Sequence, residues 1–225
     1  MTTLQPGEIN LDLIPDDWAL TPIGKNKDPY IDAWTNHPFD KKQIQKELKS
    51  GRAKAVGLIA GNHYNNPFHL VWVDVDGESV WPVIADMSGT SDISVSLPPT
   101  LTILSGKTGR ERKLYQVPKD KAKHLQRSKY ITKPIVPNEK LEILCGNGHQ
   151  GVLMGFHPET AGYFTKESED FRYVKSLPEL PDWILNFLRT KNLQRGKPES
   201  NHQRVYSPEF AVEVKVGDQR TLYEI

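Results

Sequence analysis

The run Leu70-Val71-Trp72-Val73-Asp74-Val75-Asp76-Gly77 holds the first residues able to do chemistry. It reads as a buried β-strand that turns polar at its end. Side chains alternate along a strand, so Asp74 and Asp76 share one face while Val73 and Val75 take the other. Two ionised carboxylates at the end of an apolar strand repel each other. A divalent cation removes that repulsion, and hard oxygen ligands suit magnesium or manganese. The same pattern also suits a strand that merely ends in a polar Asp76-Gly77 turn.

Three further stretches bear on the choice. Ser105-Gly-Lys-Thr-Gly-Arg-Glu-Arg112 joins two predicted strands, Thr100 to Leu104 and Lys113 to Val117. Its glycines (Gly106 and Gly109) let backbone approach a ligand closely. Ser105, Lys107, Thr108, Arg110 and Arg112 supply donors for phosphate oxygens. It is not a P-loop: Leu101 stands where the first glycine is required, and the segment links strand to strand. A solvated basic hairpin tip remains the alternative. Glu142, within Leu141-Glu-Ile-Leu144, either faces solvent or adds a third carboxylate to Asp74 and Asp76, enough for a two-cation site of the kind that transfers phosphoryl groups. His157, in Gly155-Phe-His-Pro, is either a phosphate donor or a turn histidine. His63, His69 and His149 have no metal-ligand spacing.

The elements that must position these residues are legible in outline. Trp18 to Gly24 reads as a short strand and turn, and Lys25 to Tyr30 as a basic loop. Asp40 caps a helix over 41–50 that stops at Gly51. Ala55 to Ala60 is a second strand, Glu78 to Gly89 a helix, and Gly151 to Phe156 a strand expected to pair with Leu141–Leu144 across the Cys145–Gln150 turn. Pro181-Asp182 opens a helix to about Lys191. Strands mixed with helices predict an α/β or α+β fold and argue against an all-β sandwich. The basic residues Lys25, Lys27 and Lys119 to Lys129 are candidate phosphate contacts.

The chain has 225 residues and a net charge of +1, with 25% charged and 37% hydrophobic residues. Such a composition is that of a soluble globular protein, and any basic surface must be local. A single cysteine, Cys145, excludes an internal disulfide and a cysteine-based zinc site, and fits a reducing cytoplasm. No apolar run approaches the roughly 18 residues of a membrane span.

In order, these pieces resemble the bifunctional DNA primase/polymerase domain of the archaeo-eukaryotic primase superfamily, as carried by plasmids, phages and other mobile elements. The resemblance runs from about Trp18 to Leu188. It rests on Pro22-Ile-Gly-Lys-Asn-Lys27-Asp-Pro29 with Trp34, Val56–Gly61, the Asp74/Asp76 strand and the Ser105 loop. Glu142, Gly146–Gln150, His157-Pro158 and Tyr163 complete it. It implies an N-terminal α/β unit packed on a β-sheet unit like an RNA-recognition motif, with the active site in the cleft between them. It makes Asp74, Asp76 and Glu142 the metal-binding catalytic carboxylates, with Mg2+ or Mn2+, and gives the Ser105 loop the incoming triphosphate. Implied partners are a DNA template and primer, nucleoside triphosphates, and a helicase as a further domain or separate protein.

Two departures stand out: Arg112 occupies the place of the usual motif histidine, and Met154-Gly155-Phe156 that of a Pro-Pro-Ser run. The catalytic domain is expected over residues 1–192, with a polar extension over 193–225 leading to a further domain. From other classes, a metal-dependent nuclease and a catalytically silent DNA-binding module compete with this reading.

Overall fold

A computed structural model describes residues 2–62, 67–123, 125, 129–132 and 136–195. His63, His124, Arg127 and the extension from residue 196 onward lie outside the described residues. The chain is α+β, with two sheets whose strand pairings are all antiparallel.

β1 (Leu20–Ile23) leads to α1 (Lys41–Lys49), which Asp40 caps by accepting from the Gln43 amide while the Gln43 side chain accepts from the Asp40 amide. Next come β2 (Ala55–Ile59), β3 (Gly61–Asn62) and the long β4 (Phe68–Asp76). The helix expected over Glu78–Gly89 follows as α2 (Val80–Ser88); the short α3 (Ile93–Ser96) after it was not announced by the sequence. The larger sheet continues with β5 (Thr102–Leu104), β6 (Arg110–Pro118), β7 (Lys129–Ile131) and β8 (Lys140–Leu144). β9 (Gln150–Gly155), β10 (Phe164–Thr165) and α4 (Asp182–Arg195) complete the described elements.

The smaller sheet runs β1-β2-β9; the larger runs β10-β5-β6-β4-β8-β7, with β3 also on β4. The expected pairing of Gly151–Phe156 with Leu141–Leu144 is therefore corrected. β9 crosses to the other sheet and pairs with β2, Met154 opposite Val56 and Gly151 opposite Leu58. β8 spends its hydrogen bonds on β4 and β7 instead.

β4 decides the layering. Leu70 and Trp72 on one face join Leu58, Val152 and Leu114 in a core between the sheets, and the Trp72 indole donates to the Leu58 carbonyl at 3.1 Å. Val71, Val73 and Val75 on the other face pack with Ile84 of α2 and with Ile184 and Leu188 of α4. A one-residue slip would turn Asp74 and Asp76 into the apolar layer of Val73 and Val75 against the helices, so the strand is fixed in register. Asp74 and Asp76 follow Trp72 on the face that looks toward the smaller sheet. No helix among the described residues is long and apolar enough to cross a membrane.

Candidate active site

Across three strands the register sets up one row: Asp74 on β4 stands directly opposite Arg112 on β6 and Glu142 on β8. The next row on the same face is Arg110, Asp76 and Lys140. Directly opposite residues share a face, so three carboxylates and three cations meet at one end of β4. One carboxylate oxygen from each of Asp74, Asp76 and Glu142 can be chosen so that all three lie within 4.8 Å. Asp74 and Glu142 are buried, and Asp76 is half-buried.

The charges are paired. Arg112 Nη2 contacts Asp74 Oδ2 closely, Arg110 reaches Asp76 at 3.3 Å, and Glu142 lies 2.9 Å from Lys129 and 3.3 Å from Lys140. Cations from neighbouring strands thus relieve the repulsion expected between the aspartates. Burial, then the neighbouring Asp74, pushes the Asp76 carboxyl above its ordinary range. Burial would raise Glu142 too, but the Lys129 and Lys140 ammoniums outweigh it and hold that carboxyl low. For Arg112 burial opposes the charge and Asp74 outweighs it, so the guanidinium keeps its proton.

Beside the carboxylates a cleft, partly open to solvent, is lined from both sheets. The larger sheet contributes Asp74, Asp76, Arg110, Arg112, Ser105 and Lys107; Lys27, Val152 and His157 enter from the smaller sheet and its loops, with Tyr163 at the side. The Ser105 loop is shorter than expected, because β6 begins at Arg110. Arg110 and Arg112 are strand residues facing carboxylates, which corrects their assignment to a loop tip. Glycine is needed at Gly106 and Gly109, with φ of 77° and 67°, to turn the chain within five residues. Thr160 donates to the Ser105 carbonyl at 2.6 Å, and Lys107 pairs with Glu159, so the loop is pinned from across the cleft. Gly106 and Thr108 are not among the residues that line the cleft.

His157 is buried just beyond the end of β9, its ring edge-on to Tyr163 with centroids 5.2 Å apart. Its Nδ1 accepts the Glu159 amide at 3.1 Å, which leaves Nε2 to carry the proton of the neutral ring. Burial first, then Lys27 and Lys107, holds the imidazole below its usual pKa. Burial pushes the Tyr163 hydroxyl up to about 12. His69 is buried against the Cys145 carbonyl, away from the cleft.

Some of these residues were not given roles from the sequence. Lys140 was findable, since it alternates with Glu142 along one strand. Lys129, a candidate phosphate contact by sequence, instead pairs with Glu142, brought near it by the β7–β8 pairing. Nothing local announces that Val152 and Tyr163 lie near Asp74.

A family profile described as bifunctional DNA primase/polymerase, N-terminal, matches residues 10–183. The chain belongs to that family. No curated protein and no solved structure matches it. Membership brings with it the general class of DNA primase and polymerase activity, nucleotidyl transfer with DNA and nucleotides as substrates. The family is generally dependent on a divalent metal, and the hard oxygen donors of the 74/76/142 cluster fit such an ion.

Proposed function

We propose that this primase/polymerase domain joins a nucleoside triphosphate to a 3′-hydroxyl on a DNA template, forming a phosphodiester bond and releasing pyrophosphate. Asp74, Asp76 and Glu142 would hold two divalent cations, magnesium or manganese. The observation that carries the reading is the cluster of three carboxylates, two of which, Asp74 and Asp76, line a cleft whose walls supply cations from both sheets while Glu142 stands behind them. Bound there, the ions would lower the pKa of the attacking hydroxyl and neutralise charge on the leaving group.

The chain's own residues would do the rest. Lys107 and Arg110 from the larger sheet and Lys27 from the smaller one bind the triphosphate between them, and the Ser105 hydroxyl adds a neutral donor. His157 Nε2–H donates to a phosphate oxygen, its direction set by the Glu159 amide on the other ring nitrogen. Arg112 replaces a histidine of relatives with a group that does not titrate near neutrality, so it serves as a fixed charge and not as a proton donor. Template and primer would be held through backbone phosphates by the exposed Lys25 and neighbouring basic residues. The catalytic unit is taken as residues 1–192 with an extension over 193–225, and a helicase is the partner that would open the template.

Extension of a labelled primer on a DNA template, with manganese or magnesium and four deoxynucleotides, tests the assignment. Wild-type protein lengthens the primer, and the Asp74→Ala/Asp76→Ala variant does not. Shortening of the primer would instead make the protein a nuclease. DNA binding with neither product would make it a silent module.

A further inference from the structure

Asp74 is the most enclosed of the three carboxylates and already has a partner, the Arg112 guanidinium, directly across the sheet. The arginine is anchored by its backbone in β6, and its side chain is only partly exposed. Its position is only partly satisfied: Nη2 is on Asp74, but Nε is buried without an acceptor. A guanidinium has five donors in a fixed fork, and a buried one without a partner carries a desolvation penalty. Near Arg112 the cleft continues toward Lys107, Arg110 and Lys27, cations placed to receive an anion.

From this arrangement we propose that Arg112 is a built-in competitor of the divalent cation for Asp74. Two positive groups within a few ångströms of one carboxylate repel strongly at low local dielectric. Ion binding therefore requires the guanidinium to swing off Asp74. An anion in the cleft gives it somewhere to go, and also gives Nε an acceptor. The ion and the anionic substrate then favour each other's binding, a coupling that must be reciprocal. Without nucleotide the carboxylates stay neutralised and weak for metal. The proposal rests on the reading of Asp74 as a metal ligand.

Manganese titration of the full chain, followed by the electron paramagnetic resonance signal of the free ion, tests it without any turnover. Arg112→Gln is expected to bind Mn2+ about tenfold more tightly than wild type, and Arg112→Lys, which keeps the charge, to stay near wild type. Arg112→Met, similar in length and uncharged, replaces Arg112→Gln if circular dichroism shows that variant unfolded. Equal or weaker binding in the folded neutral variants would overturn the proposal and make Arg112 a group that positions Asp74. Asp74→Asn separates the two ideas: loss of Mn2+ binding upholds the site, whereas unchanged binding in Asp74→Asn and in Asp74→Asn/Arg112→Gln would overturn the site and the competition together.

Discussion

Trp72 and Asp74 stand two residues apart on one side of β4, and their neighbours decide which is core and which is site. The Trp72 ring sits so close to the β9 backbone that a Cβ on Gly151 would come within 2.5 Å of it. Asp74, one step further along, meets charges from the strands on either side. A different polar network occupies the opposite face of β6, where Lys113 is 2% exposed. It bonds Glu169 closely and lies 3.3 Å from Glu111, while Thr102 donates to Glu169 at 2.6 Å. Burial would raise the Glu169 carboxyl, but the bonds from Lys113 and Thr102 win and hold it at about 2. A carboxyl depressed in the folded state adds stability that is full above its unfolded pKa of about 4.3 and is lost as pH falls toward 2. Glu169→Gln is thus expected to lose roughly 3 kcal/mol at pH 7, where Lys113 loses its main partner, and to show a flatter decline between pH 5 and 2. Urea unfolding at several pH values measures both; equal slopes in that window would remove Glu169 as the source.

Among the elements, α1 was plain in the sequence because its start is chemically local. Asp40 and Gln43 exchange side-chain bonds with each other's amides at 2.8 Å each, and Gly51 takes φ 73° just past the end. Asp40→Ala is expected to cost about 1 kcal/mol, seen as a lower urea midpoint at unchanged slope. β6 was harder to read at its first three residues. Arg110, Glu111 and Arg112 lack the apolar alternation of a strand, and the two arginines meet opposite charges on β4, Arg110 across from Asp76 and Arg112 across from Asp74. β9 was recognised as a strand but given the wrong partner. Its apolar run marks a strand buried on both faces and says nothing about which edge accepts its hydrogen bonds, and a short turn before it made β8 the obvious choice.

At the scale of the molecule, the two sheets face each other over one core and leave the cleft at its open end. Lys27 lies on the β1–α1 loop with φ 66°, its carbonyl accepting from Gln150 of β9 at 3.3 Å, and its side chain lines the cleft opposite Lys107. If the triphosphate bridges the sheets as proposed, Lys27→Ala should raise the deoxynucleotide KM about tenfold and leave the affinity for primed DNA much closer to wild type. Equal losses in both, followed by steady-state kinetics and by DNA titration at fixed salt, would place Lys27 on the template path instead.

The sequence by itself determined the parts that depend on neighbours in the chain. These were the alternating face of Asp74 and Asp76, the capped helix at Asp40, the glycine-broken turn after Ser105, and the family to which their order belongs. Only the tertiary structure decided what each charge meets. Whether Arg112 touches a phosphate or Asp74, whether Lys129 is surface or partner to Glu142, and whether β9 closes one sheet or joins the other all depend on strand register between distant segments. Register is set by burying both faces of β4 at once, a condition satisfied by the whole core and written in no single stretch of it.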